Sequence, residues 1–163
     1  MRARQLITDS QLRAMQQNDL PAVKSIIDAN EMFPSEYLDE MTSEYFSGDS
    51  QEVWTVAENE KAGIVAVAFC SPERMTEGTW NLLMIAVLPD YQGVGIGKAM
   101  MQHAESQVKG QEARILLVET SGLPEYEKTR EFYPKCGYKP VAVIPDYYDA
   151  GDDKVVFWKS FQD

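Results

Sequence analysis

Histidine is almost missing from these 163 residues: His103 is the only one. Zinc sites and Ser-His-Asp catalysis both draw on imidazole. Either would have to be built on His103 alone, which falls mid-helix just before Ala104 on an apolar face. It reads as a structural or surface histidine. Cysteine is scarce too. Cys70 and Cys136 are far apart, with no C-x-x-C partner and no ligand spacing nearby. They read as small apolar packing residues, and no metal is expected. No apolar run approaches the roughly 20 residues of a membrane span. Residues 1–5 carry two arginines but no apolar stretch behind them, so no secretory signal is read there and the expected location is cytoplasmic. Cations are in deficit, 15 Lys and Arg against 26 Asp and Glu, for a net charge of −11. That balance excludes the basic footprint of a nucleic-acid binder. The surplus carboxylates serve solubility or draw a cationic amine. Repeats, low-complexity tracts and linkers are also absent, so residues 1–163 are expected to form a single domain.

Glycine, by contrast, is concentrated where it matters. Residues 88–98 read Leu-Pro-Asp-Tyr-Gln-Gly-Val-Gly-Ile-Gly-Lys. An apolar run ends at Pro89, glycines follow at alternate positions, and a helix-compatible run begins. A strand, a loop of inward N–H groups and a helix N-terminus can hold a phosphate without metal. Two common phosphate loops fail on particular residues. The dinucleotide pattern counted from Gly93 needs glycine where Lys98 stands, and counted from Gly95 it needs glycine where Met100 stands. A Walker loop ending at Gly97-Lys98 needs glycine at Gln92 and Ser or Thr at Ala99.

The pattern that fits is [QR]-x-x-G-x-[GA], met by Gln92, Gly95 and Gly97 behind Val87-x-Pro89. On these residues the chain resembles the GNAT superfamily of acyl-CoA-dependent N-acetyltransferases. The alternative is a plain glycine-rich turn between strand and helix.

Hydrophobic periodicity sets out the remaining elements. A short strand at 12–15 precedes a helix started by Asn18-Asp19-Leu20-Pro21, and a second helix is expected over 34–46. Strands are expected at 52–58, 63–70 and 79–88, then a helix over 95–109. A strand at 114–120 should lie parallel to the one before the loop, joined by a right-handed crossover. A helix over 124–135, with Pro134 ending or distorting it, precedes a last hairpin, 138–145 and 154–161, around an acidic loop at 146–153. This order is similar to that of the GNAT fold. The expected class is α/β mixed (α+β): a central mixed sheet with a splayed parallel strand pair, flanked by helices.

The resemblance implies a site. Ile85, Ala86 and Val87 would line the pantetheine arm and thioester of acetyl-CoA, with a backbone N–H polarising the carbonyl. Gly93, Val94, Gly95, Ile96, Gly97 and Lys98 would hold the pyrophosphate. Because coenzyme A is polyanionic and the chain acidic, this site must be locally favourable. Tyr133, in Phe132-Tyr133-Pro134-Lys135-Cys136-Gly137-Tyr138, is similar to the family's F/L-Y-x-x-x-G-F/Y signature. It would protonate the CoA sulfur or position it. Glu119, at a strand end, resembles the base of ribosomal-protein alanine acetyltransferases; a solvated strand-end residue is the alternative. Tyr126 stands where many members carry a cofactor-contacting Asn, and would stack on pantetheine or simply pack. Tyr147 and Tyr148, in the acidic loop, either hold an ammonium through charge and cation–π contact or pack beneath a solvated turn. The acceptor would be a primary amine of a small molecule or a peptide, acylated in a ternary complex, and a homodimer is left open. The rival reading is a non-catalytic acyl-CoA or amine sensor of the same fold.

Overall fold

The structure is a computed structural model that describes residues 11–162, so residues 1–5, read above for a signal, lie outside it. Strand β1 (Leu12–Ala14) leads through a turn into helix α1 (Leu20–Ala29). Asp19 sits at the helix N-cap without capping it. Its carboxylate accepts from both terminal nitrogens of Arg13, at 2.7 and 2.9 Å, and from the Gln16 N–H at 2.7 Å.

The helix expected over 34–46 is broken. A 3-10 turn, Ser35–Tyr37, runs into α2 (Leu38–Met41) and then α3 (Ser43–Ser47). Thr42 interrupts them at φ −101°, ψ 0°. Its hydroxyl donates to the Leu38 carbonyl at 2.9 Å, a back-bond that bends helices. The apolar spacing survives, because Leu38 is fully buried and the Tyr45 hydroxyl donates to the Met15 carbonyl at 3.0 Å. Tyr37 is exposed.

Strands β2 (Val53–Asn59), β3 (Gly63–Pro72) and β4 (Thr79–Val87) follow as an antiparallel meander. Helix α4 (Ile96–Lys109) crosses to β5 (Ile115–Ser121), which pairs parallel with β4. Helix α5 (Glu127–Lys135) runs one residue past Pro134 and stops at Gly137, whose φ is +92°. The Tyr138 N–H reaches back to the Tyr133 carbonyl at 3.1 Å, closing the helix end. Strands β6 (Lys139–Asp149) and β7 (Asp152–Ser160) complete one sheet of order β1-β2-β3-β4-β5-β7-β6. The mixed sheet with one parallel pair, flanked by helices, is the expected class.

The segment read as an acidic loop is mostly strand. Its register runs Ile144↔Lys154 and then Asp149↔Asp152, so residues 145–148 oppose only Asp153. Composition marks 146–153 as polar, but the hairpin carries strand through it by bulging. The Asp146 and Gly151 N–H groups take the Asp153 and Asp146 carboxylates, at 2.9 and 2.8 Å.

Each sheet face has its own core. On one, Met100, Met101, Ala104 and Val108 of α4 cover Ala66, Ala68, Trp80, Leu82 and Leu116. On the other, Val23, Ile26, Ile27 and Leu38 cover Trp54, Val56, Val67, Met84 and Ala86. β4 changes faces mid-strand. Phe69 pairs with Met84 but Cys70 pairs with Leu82, which leaves Leu83 as an extra residue, 52% exposed. One inserted residue flips the alternation, so Trp80 and Leu82 join the first core while Met84 and Ala86 join the second.

Candidate active site

The bulge at Leu83 coincides with a fork. β4 and β5 pair from Thr79↔Ile115 to Leu82↔Val118 and no further, although β4 continues to Val87 and β5 to Ser121. Past that point two strands present unpaired backbone toward each other.

The glycine loop closes one end of this gap. Gly93 and Gly95 adopt φ of +77° and +92°, where a side chain is strained. Gly95 is the N-cap of α4 and no side chain caps the helix. The first α-helical bond runs from the Ala99 N–H to the Gly95 carbonyl at 3.1 Å. The Ile96, Gly97 and Lys98 N–H groups therefore have no intrahelical acceptor, and the positive end of the helix dipole is open.

These elements enclose a cleft of about 780 Å³. Ile85, Ala86 and Val87 form one wall, Gly93, Gly95, Gly97 and Lys98 the end, and α5 the other wall, through Lys128, Thr129, Glu131, Phe132, Tyr133, Lys135 and Cys136. Three lysines against one glutamate make this lining positive on a chain of net charge −11. That resolves the charge conflict locally. A Cβ at Gly97 would stand 3.3 Å from the Phe132 ring, so a side chain there would have to press that ring back by a few tenths of an ångström.

Two side-chain amides set the entrance. Gln92 Nε2 donates to the Val87 carbonyl at 2.9 Å and to Asn30 Oδ1 at 3.1 Å. Asn30 Nδ2 donates to the same Val87 carbonyl at 3.1 Å and to Ile26 at 2.9 Å. The end of α1 is thereby tied to the end of β4 and the start of the loop.

Tyr133 is 4% exposed and packs among Phe132, Tyr138 and Phe157, yet borders the cleft. Burial, then the neighbouring Cys136, pushes its pKa above the ordinary tyrosine value, so the phenol stays protonated. Cys136 reaches the cleft wall as well. Burial and Glu105 raise its thiol pKa, leaving a neutral thiol and no activated nucleophile.

A family model described as Acetyltransferase (GNAT) domain matches residues 49–140. The chain belongs to the GNAT family of acetyltransferases. An uncharacterized N-acetyltransferase of Methanocaldococcus jannaschii is 27% identical over 88 residues, which are 52% of this chain and 54% of that protein. The chain thus spans about half the length of the curated relative it matches. A crystal structure assigned to the GNAT family, from Desulfovibrio desulfuricans, superposes with a TM-score of 0.83 at 28% identity, covering 91% of this chain and 97% of the other. The ribosomal-protein-alanine N-acetyltransferase of Brucella melitensis shares the fold, with a TM-score of 0.74 at 18% identity over 92% and 99% of the two chains.

Within this GNAT domain the cleft gathers eight residues chosen from sequence: Ile85, Ala86, Val87, Gly93, Gly95, Gly97, Lys98 and Tyr133. Val94 and Ile96 turn their side chains to the core, which leaves only their backbone to the loop. Tyr126 is 42% exposed in a turn and Glu119 lies on β5 past the fork; neither lines the cleft. Glu119 Oε1 is 2.8 Å from Lys154 Nζ. That ammonium also sits 3.8 Å from the Tyr147 ring centroid. Burial pulls the Lys154 pKa down, but Glu119 and Tyr147 outweigh it and hold the lysine above its ordinary value.

Sequence reasoning missed Asn30, Lys128, Thr129, Phe132, Lys135 and Cys136 as cleft residues. Two of these were within reach: Thr129 and Cys136 stand four before and three after Tyr133, so periodicity counted from the tyrosine finds them. Asn30 carried no local signal. A second depression, of about 490 Å³, lies at the other end of β4 and β5 and is lined by Glu73, Glu77, Glu112, Arg74 and Arg114 among others. No residue chosen from sequence lies there. Among the described residues no group of His, Cys, Asp and Glu could hold a metal, and no helix is long and apolar enough to cross a membrane.

Proposed function

We propose that this GNAT domain transfers the acetyl group of acetyl-CoA to a primary amine of a small molecule or peptide, directly, in a ternary complex. The observation that carries the reading is the uncapped, lysine-flanked N-terminus of α4 at the mouth of a forked strand pair. The helix amides and Lys98, with Lys128 and Lys135 opposite, bind the diphosphate. The unpaired edge at Ile85, Ala86 and Val87 takes the pantetheine amides as a strand would. The amine nitrogen bonds to the thioester carbon while the carbon–sulfur bond breaks. Tyr133 gives its proton to the departing sulfur, and Glu119 takes the amine's proton through water. Tyr126, half-exposed and outside the cleft lining, is assigned at most an outer contact with the cofactor.

Two free thiols support a reducing, cytoplasmic setting. Exposed Val141, Val143 and Ile144 on the edge strand β6 support a homodimer. The decisive experiment pairs calorimetry of coenzyme A and acetyl-CoA with free-thiol release across a panel of amines and peptide N-termini. Tight CoA binding and amine-dependent thiol release are expected. Binding without turnover on any amine would favour the sensor reading, and no binding would end both.

A further inference from the structure

The acidic, tyrosine-bearing tip of the β6–β7 hairpin offers an obvious receptor for an acceptor ammonium: a carboxylate beside an aromatic face. In the folded chain that receptor is filled. The Lys154 ammonium lies 2.8 Å from Glu119 Oε1 and 3.8 Å from the centre of the Tyr147 ring. Tyr148 braces that ring edge-on, with ring centroids 5.0 Å apart.

The register explains how the lysine gets there. Ser121 pairs with Lys154 and Glu119 pairs with Val156, so Lys154 and Glu119 are diagonal neighbours on one sheet face. The four-residue bulge opposite Asp153 lets Tyr147 reach back over the lysine. The Lys154 side chain is only 10% exposed, against 25% for Glu119. A nearly buried ammonium adds little net stability over an apolar residue of the same volume, because desolvation offsets the attraction. Its value must lie elsewhere. Among the described residues no other donor reaches the Glu119 carboxylate, so Lys154 alone fixes how it points.

We infer that Lys154 is a positioning residue of the acceptor side: a resident ammonium that locks Glu119 by one oxygen and keeps the Tyr147 face from capturing the acceptor amine. The inference rests on the acetyltransferase reading with Glu119 as base. The water that relays the acceptor's proton then meets Glu119 only at its second oxygen, and no aromatic cage selects cationic amines.

The test uses the whole protein, with an amine that the wild type acetylates. Lys154→Ala should lower kcat about tenfold or more while the KM for acetyl-CoA changes by less than about twofold, since only the acceptor side is disturbed. Lys154→Arg should recover most of the loss. Millimolar guanidinium, which offers a cation of the right size, should raise kcat of Lys154→Ala several-fold beyond a sodium chloride control. It should leave the wild type and the Lys154→Ala, Glu119→Gln double variant unchanged. An unaltered kcat in Lys154→Ala, or a loss that neither arginine nor guanidinium restores, overturns the inference. If Lys154→Ala does not fold, Lys154→Met keeps the apolar stem and takes its place. The wild type gives an independent reading: a slowly exchanging Lys154 ammonium resonance that Glu119→Gln abolishes. Absence of that signal also overturns the inference. Failure of the wild type on every amine would instead sink the acetyltransferase reading, a different result from normal turnover with an indifferent lysine.

Discussion

Leu82 is the last residue of β4 to pair with β5, and its partner is Val118. The next residue, Leu83, is the one left out of the β3–β4 ladder. A bulge bends its strand and disrupts the ladder locally. Beyond this one β4 keeps β3 and leaves β5. The fork therefore opens at the position of one inserted residue, and the glycine loop and α5 are arranged around it.

Tyr133 presents a phenol that remains neutral because burial raises its pKa. Tyr133→Phe should lower kcat by about a hundredfold, in the range of a lost general acid, with a much smaller change in CoA affinity. The ring stays, so packing against Phe132, Tyr138 and Phe157 stays with it. Steady-state kinetics beside calorimetry would check this, and near-normal turnover would refute the acid role.

Asn30 and Gln92 converge on one acceptor, the Val87 carbonyl. Each replacement by alanine removes a bond worth about 1 kcal/mol and loosens the loop entrance, so CoA affinity should fall about three- to tenfold for either. Because the amides also bond each other, the double variant should lose less than the two single losses combined. Strict additivity in a binding cycle would mean that the two residues act separately.

Stability should fall at alkaline pH. Burial, with Glu105 nearby, pushes the Cys70 thiol up to about 12. Burial likewise raises Tyr133, and burial with Glu105 raises Tyr138. All three folded values exceed the unfolded ones. Their contribution is complete below the unfolded pKa, near 9.0 for the thiol and 10.0 for the phenols, and is lost as pH climbs from there toward the folded values. Above its own unfolded value, about pH 9 for the thiol and about pH 10 for the phenols, each group should cost about 1.4 kcal/mol per pH unit. Urea unfolding at rising pH should show this decline, and Cys70→Ala should make its first part shallower. A flat profile to about pH 10.5 would contradict the burial of these groups.

Much of the fold was legible because its signals are local. Pro89, the alternating glycines and the stripe Ile96, Met100, Ala104, Val108 announce strand, loop and helix within a dozen residues of each other. Thr42 was not legible: Leu38, Met41 and Tyr45 keep helical spacing on both sides of the break, and a hydroxyl back-bond leaves no mark on hydrophobic period. The hairpin tip misled for the opposite reason. Pro145, Gly151 and the aspartates are turn formers, and a bulged strand uses the same residues as a loop.

The amino-acid sequence by itself determined the glycine loop, the order of elements and the tyrosine on α5, since chain neighbours carry each of them. Only the tertiary structure decided that Lys128 and Lys135 face the glycine loop, that Asn30 reaches Val87 across 57 positions, and that Lys154 rather than a substrate sits against Glu119 and Tyr147. Residues so far apart in the chain meet only when the sheet and its helices assemble, and Tyr147 reaches Lys154 through the bulge in β6.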